Sequence, residues 1–250
     1  MKRGALHAGH FMPPRLTLAR GFTLTEIAIV LFIVALLLGS MMLPLAAQDD
    51  IRRSQDTQQM LNEVRDALIG FAVANGRLPR PATSATDGTE NVAACATDAA
   101  CSGFIPWATL GVTKLDGWEK IIRYSVTPAF ANATFNLTTI PNRKVQTRDG
   151  AGALSYLVGQ AAACTASQCT PAVIFSQGRH HWGTNDGGVA FGDGSATNAD
   201  EDLNNTGPTG YIARPGTDNT GTTGGEFDDL VIWLSPNILF NRMVAAGKLP

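Results

Sequence analysis

Six aspartates, Asp186, Asp193, Asp200, Asp202, Asp228 and Asp229, lie in or just beyond a stretch rich in Gly, Asn and Thr that runs from Gly183 to Gly225. Carboxylates among tight turns are hard oxygen donors, and the chemistry they fit is calcium binding. The segment "DGSATNADEDLN" lacks the glycine and the closing glutamate of an EF-hand loop, so solvated turn residues are the competing reading. The four cysteines form two close pairs, Cys95 with Cys101 in "CATDAAC" and Cys164 with Cys169 in "CTASQC". In an oxidising compartment such pairs close small local loops as disulfides; a four-thiolate zinc site needs tighter spacing, and free thiols are the remaining alternative. His180 and His181 are adjacent, which on a strand would send them to opposite faces and prevent joint chelation. "FGDGSA" lacks the spacing of a nucleophile elbow, and no Gly-rich stretch carries the lysine of a phosphate loop. No catalytic constellation stands out, and the chain reads as a non-enzyme.

The elements that must position these residues begin with "ARGFTLTEIAIVLFIVALLLG", Ala19 to Gly39. It follows a flank containing Lys2, Arg3, Arg15 and Arg20 and no acid. Removing those four from the 19 basic and 21 acidic side chains turns the net charge of −2 into −6. A basic flank stays cytoplasmic while the apolar run behind it enters the membrane. The acidic remainder argues against attraction to nucleic acid phosphates. A cleaved secretory signal would have an apolar core of roughly 7–15 residues with a small-residue site after it; here the run is longer and the glycine precedes it. A plain anchor fits the length but leaves "GFTLTE" unexplained. Glu26 is the difficulty, because a carboxylate costs about 2.5 kcal/mol or more at the bilayer centre.

The stretch "RGFTLTEIAIVLFIVALLLG" resembles the N-terminal signature of type IV pilins and of the pseudopilins of type II secretion. The resemblance implies cleavage by a prepilin peptidase after Gly21, N-methylation of Phe22, and an assembly role for Glu26, whose charge is paired by the Phe22 amine of a neighbouring subunit. It divides the chain into a cleaved basic leader (1–21), a transmembrane and filament-core helix (22–45), an amphipathic continuation (46–76) and a globular head (77–250). Leu61, Val64, Leu68 and Phe71 recur at three- and four-residue intervals and predict the apolar stripe of that continuation. Pro44 predicts a kink or a melted turn, and Asn75-Gly76 the helix stop.

Downstream, "KIIRYSV", "TFNLTTI", "LSYLVG", "AVIFSQ" and "DLVIWLS" read as short strands between turn signals, and "SPNILFNRMVAAGKLP" as a final helix capped by Ser235. The expected fold class is α+β: a long N-terminal helix packed on an antiparallel sheet, with long disulfide-closed loops. "GRLPRP", "DGWEKIIRYSV" and "FDDLVIWLS" look like stretches of minor-pilin relatives. The implied function is a minor pilin or pseudopilin, an inner-membrane precursor with a periplasmic head that later enters a pilus or pseudopilus and reaches the cell surface. Its implied partners are other pilin or pseudopilin subunits, the peptidase, an inner-membrane assembly platform and membrane lipid. A filament-tip adhesin, a DNA-binding pilin and a membrane-tethered enzyme are the rival readings.

Overall fold

A computed structural model of the chain describes residues 21–165 and 167–249, with the side chains of 40–47 outside that description. The leader as far as residue 20 thus lies outside the described residues. The chain divides into two compact units, one ending at Gln48 and one starting at Asp49. Helix α1 (Leu24–Asn75) belongs to both and continues through Pro44, where the sequence predicts a kink or a melted turn. Loss of one backbone donor removes a single ladder bond and does not end the helix.

In the first unit, the apolar side chains between Leu24 and Leu38 are exposed. Among the described residues no helix is long and apolar enough to cross a membrane. The expected spanning segment, 22–45, has described side chains only as far as Gly39.

In the second unit, α1 becomes one-sided. Thr57, Leu61, Val64, Leu68 and Ala72 are fully buried, each apolar member contributing about 1–3 kcal/mol. The stripe continues in steps of four to Ala72, so Phe71 is only half-buried and lies under the Arg77 guanidinium. The helix ends at Asn75, and Gly76 follows at φ 73°, a left-handed conformation that a glycine adopts without a Cβ penalty. Arg53 and Thr57 bind the next contact directly: Arg53 Nη1 donates to Gly117 O at 2.9 Å, and Gly117 N–H donates to Thr57 Oγ1 at 2.9 Å.

The first sheet has the order β1 (Ser102–Phe104), β2 (Arg123–Val126), β5 (Ala172–Ser176), β7 (Leu230–Trp233), with every pairing antiparallel. Tyr124, Val126, Ala172 and Ile174 join the α1 stripe in the main core, together with Phe130 of α3 (Pro128–Ala131) and Leu239, Phe240 and Met243 of α5 (Pro236–Ala245). Alternation sends Val173 and Phe175 to the other face, where they meet Val145 and Tyr211 of a second sheet. That sheet, β4 (Leu154–Val158), β3 (Lys144–Arg148), β6 (Gly210–Ile212), pairs β3 with β4 antiparallel and with β6 in parallel. The described residues of the body therefore form two sheets, one of them mixed, where one antiparallel sheet is expected.

"TFNLTTI" is no strand. Phe135 is buried against Phe130 and Phe240, with ring centroids 4.8 and 6.0 Å away, and Asn136 Oδ1 accepts from the Thr138 N–H and hydroxyl at 2.9 and 2.8 Å, which turns the chain. Both expected disulfides form, Cys95–Cys101 and Cys164–Cys169, so a zinc site built on these thiols is excluded. The first bridge belongs to the main core. Its loop is held by fully buried Arg143, which donates to Asp98 Oδ1 and Asn142 Oδ1, both at 2.7 Å, and to Ser125 Oγ at 2.7 Å.

Candidate functional site

Helix α2 (Trp107–Leu110) is short, and α4 (Ala199–Thr206) falls within the stretch expected to be polar loop. Three acids, Asp200, Glu201 and Asp202, occupy the first turn of α4, where the exposed N–H groups favour negative charge. Successive helical residues point about 100° apart, and the three go to different places. Asp200 is buried between two arginines, 2.7 Å from Arg148 Nη2 and 2.8 Å from Arg214 Nε. Asp202 accepts the Trp182 indole N–H at 2.9 Å. Glu201 turns inward, toward the two aspartates that precede β7.

Glu201, Asp228 and Asp229 each offer one carboxylate oxygen, and the three oxygens lie within 4.8 Å of one another. Glu201 Oε1 accepts the Asp228 N–H at 2.7 Å and Oε2 accepts from Asn198 Nδ2 at 3.1 Å. Asp229 Oδ2 accepts from Asn204 Nδ2 at 2.8 Å. Asp228 Oδ2 accepts the Arg179 and His180 N–H groups at 3.0 and 2.8 Å and faces His180 Nδ1 at 3.1 Å. Its Oδ1 is buried with no hydrogen-bond partner among the described residues. Gly178, at φ 54°, makes room for this carboxylate, since a Cβ there would stand 2.0 Å from Asp228 Oδ1.

Lys120 interacts electrostatically with the three acids, and its Nζ donates to the carbonyls of Gln177, His180 and His181 at 3.0, 2.7 and 2.7 Å. The ammonium thus pins the loop after β5 instead of pairing directly with a carboxylate. Burial pulls Lys120 below its ordinary value, against the upward pull of Asp228, Asp116, Asp229 and Glu201. Burial pushes Glu201 up to about 7. It also raises Asp228, and it raises Asp229 well above the usual carboxylate range, with the Glu201 charge adding to the effect. Converging carboxylates with raised affinity for protons are a site for a positive charge. Calcium–oxygen bonds of about 2.3–2.6 Å place two ligands up to about 5 Å apart, so a spread of 4.8 Å accommodates one such ion, which Glu201, Asp228 and Asp229 would hold.

Of the six aspartates expected to bind calcium, only Asp228 and Asp229 are brought together. Asp186 is on the surface, 2.6 Å from Lys114 Nζ. Asp193 accepts from Asn198 Nδ2 at 3.0 Å and from the Ser195 N–H at 3.1 Å. Asp200 and Asp202 are spent on the arginines and the tryptophan. Glu201 is the member of the cluster that the sequence reading misses, and "NADE" carries its signal, a helix-starting Asn three residues before a glutamate.

The histidines also depart from expectation. They lie outside any strand, His181 and Trp182 adopt φ values of 38° and 25°, and the two rings approach to 5.8 Å. Each ring faces an acid: His180 faces Asp228, and His181 Nε2 is 3.5 Å from Glu226 Oε1.

At the other end of the chain, Gly21 and Phe22 precede α1 and are exposed. Thr23 and Glu26 form a reciprocal cap: Glu26 Oε2 accepts the Thr23 N–H at 2.8 Å, and the Glu26 N–H donates to Thr23 Oγ1 at 3.2 Å. Glu26 therefore has a local partner in addition to the intersubunit role expected for it. No family model matches the chain, and no curated protein or solved structure matches it.

Proposed function

We propose that this protein is a non-enzymatic filament subunit, a minor pilin or pseudopilin, made as an inner-membrane precursor with a periplasmic head. The observation that carries this reading is the division of α1. The second half buries a stripe against the first sheet, while the first half leaves its apolar side chains from Leu24 to Leu38 exposed. Such a surface needs cover from lipid before assembly and from neighbouring α1 helices after it. Insertion of 22–45 into the membrane is part of the proposal, and the absence of any cation between Phe22 and Leu45 supports it. The partners are then other subunits, the prepilin peptidase, the assembly platform and lipid.

Gly21 and Phe22 stand in exposed non-helical chain immediately ahead of the capped helix, an arrangement a peptidase can reach. N-terminal sequencing and intact mass of protein extracted from membranes test the reading: a mature chain starting at N-methylated Phe22 is expected. A mature N-terminus within the leader, or one beyond Leu38, would overturn it. The Glu201, Asp228 and Asp229 cluster is proposed as a calcium site that orders the α4 segment, a reading favoured by the unpartnered Asp228 Oδ1.

A further inference from the structure

The two sheets present four edges, and three of them are guarded. β1 and β6 are three residues long, and α4 packs beside β6. β4 carries the extra residue Leu157 of a bulge, which breaks its regular pairing. β7 is different. It is regular, it pairs with β5 alone, and neither proline nor charge interrupts Leu230–Trp233. The Leu234 N–H donates to Ala172 O at 3.0 Å, which fixes the alternation of the ladder. The N–H and C=O of Val231 and Trp233 therefore point to the free edge, where no side chain or loop among the described residues bonds to them.

Beside that edge runs a groove of about 340 Å³. Its floor and walls include Asn62, Arg65 and Ile69 of α1, Trp233 and Leu234 at the end of β7, and Ile238 of α5. Ile238 is 51% exposed. Among the described residues no acid lines the groove, and its one lining cation, Arg65, stands 3.6 Å from exposed Asp66. The groove thus offers a column of backbone donors and acceptors, an apolar wall and one available positive charge.

We propose that this groove binds an extended segment of another polypeptide by strand addition to β7, with alternate apolar side chains over Ile69 and Ile238 and a carboxylate on Arg65. Strand addition supplies affinity through the backbone and specificity through the side chains of every second residue. Here the charge selects an acidic segment. The inference stands whether or not the chain enters a filament, because it rests on the second unit alone.

The test uses the full-length protein in detergent. The probe is a capped, fluorescent peptide of about seven residues that alternates valine and threonine and carries one glutamate; its twin carries lysine instead. Saturable binding of the glutamate peptide is expected, with slowed amide exchange at Val231 and Trp233. Arg65→Glu should weaken that peptide about tenfold and reverse the preference toward lysine. Val231→Pro removes an outward N–H that the β5 ladder does not use and should abolish binding; because Val231 also packs on the second cluster, Val231→Ala is the control, with a comparable fall in melting temperature and binding retained. Absence of saturation up to about 1 mM peptide, or equal binding of the two peptides, would overturn the proposal. So would protection of Val231 and Trp233 that rises with protein concentration alone, which would assign the edge to a second copy of the chain.

Discussion

Burial raises Glu201 from 4.5 to about 7, so between those values the folded chain keeps a proton that the unfolded chain has released. The stability this group contributes is complete below the unfolded value and is lost as the pH rises through 7. Asp228 and Asp229, also raised, act in the same direction. The melting temperature should therefore fall by several degrees between about pH 5 and about pH 8. Glu201→Gln cannot release a proton, but its amide nitrogen must face either the Asp228 N–H or Asn198 Nδ2. That variant should begin about 1 kcal/mol less stable at acid pH and show a flatter decline, which scanning calorimetry across the range would check. Calcium bound as proposed would compete with the same protons, so millimolar calcium should raise the melting temperature more at high pH than at low, and less in Glu201→Gln. A melting temperature indifferent to calcium would leave the cluster as a proton-holding group only. The sequence made two of the three members of this cluster legible. Adjacent Asp228 and Asp229 ahead of an apolar run mark themselves as carboxylates at a strand entrance, whereas Glu201 is masked by two neighbouring aspartates whose side chains a helix turns elsewhere.

At the scale of elements, legibility followed how much of each element's own sequence pays for its structure. β5 and β7 are rich in β-branched and aromatic residues, and β2 carries Tyr124 and Val126 behind Ile121 and Ile122, so all three can be read directly. β3, "KVQTR", has one apolar residue and is a strand because β4 and β6 flank it; its parallel partner, more than 60 residues away, leaves no local trace. Helix α4 is hidden for the same reason, since its buried face is Asp200, Glu201 and Asn204, polar groups whose burial depends on partners from other segments. The two disulfides show the same contrast. Their sequence separations are 6 and 5, so loop-closure entropy gives each about 2 kcal/mol. Cys101 and Cys169 are both fully buried, but only the Cys95–Cys101 pair belongs to the main core cluster, and Asp98 within its loop holds Arg143. Replacing Cys95 and Cys101 by alanine should then lower the melting temperature several degrees more than the same change at Cys164 and Cys169. Equal losses in parallel thermal melts would mean that only the loop closure matters.

For the molecule as a whole, the question is whether the first unit of α1 is built to fold or to assemble, and Glu26 separates the two. The expected intersubunit pairing uses its negative charge, which the Phe22 amine of a neighbour would match. The capping arrangement with Thr23 uses only its ability to accept the Thr23 N–H, and a glutamine at the same position accepts that bond equally well. Glu26→Gln therefore removes the charge while keeping the helix start, and Glu26→Ala removes both. Thr23→Ala removes the cap, at a cost of about 1 kcal/mol, and leaves the charge. If Glu26 acts in assembly through its charge, Glu26→Gln and Glu26→Ala should both be depleted from sheared filaments by about tenfold or more relative to membrane-held precursor, while Thr23→Ala enters almost normally. Quantitative immunoblotting of the two fractions reads this directly. Incorporation of Glu26→Gln at the wild-type level, with Thr23→Ala and Glu26→Ala both depleted, would assign the residue to the helix cap and leave subunit register to the apolar side chains between Leu24 and Leu38.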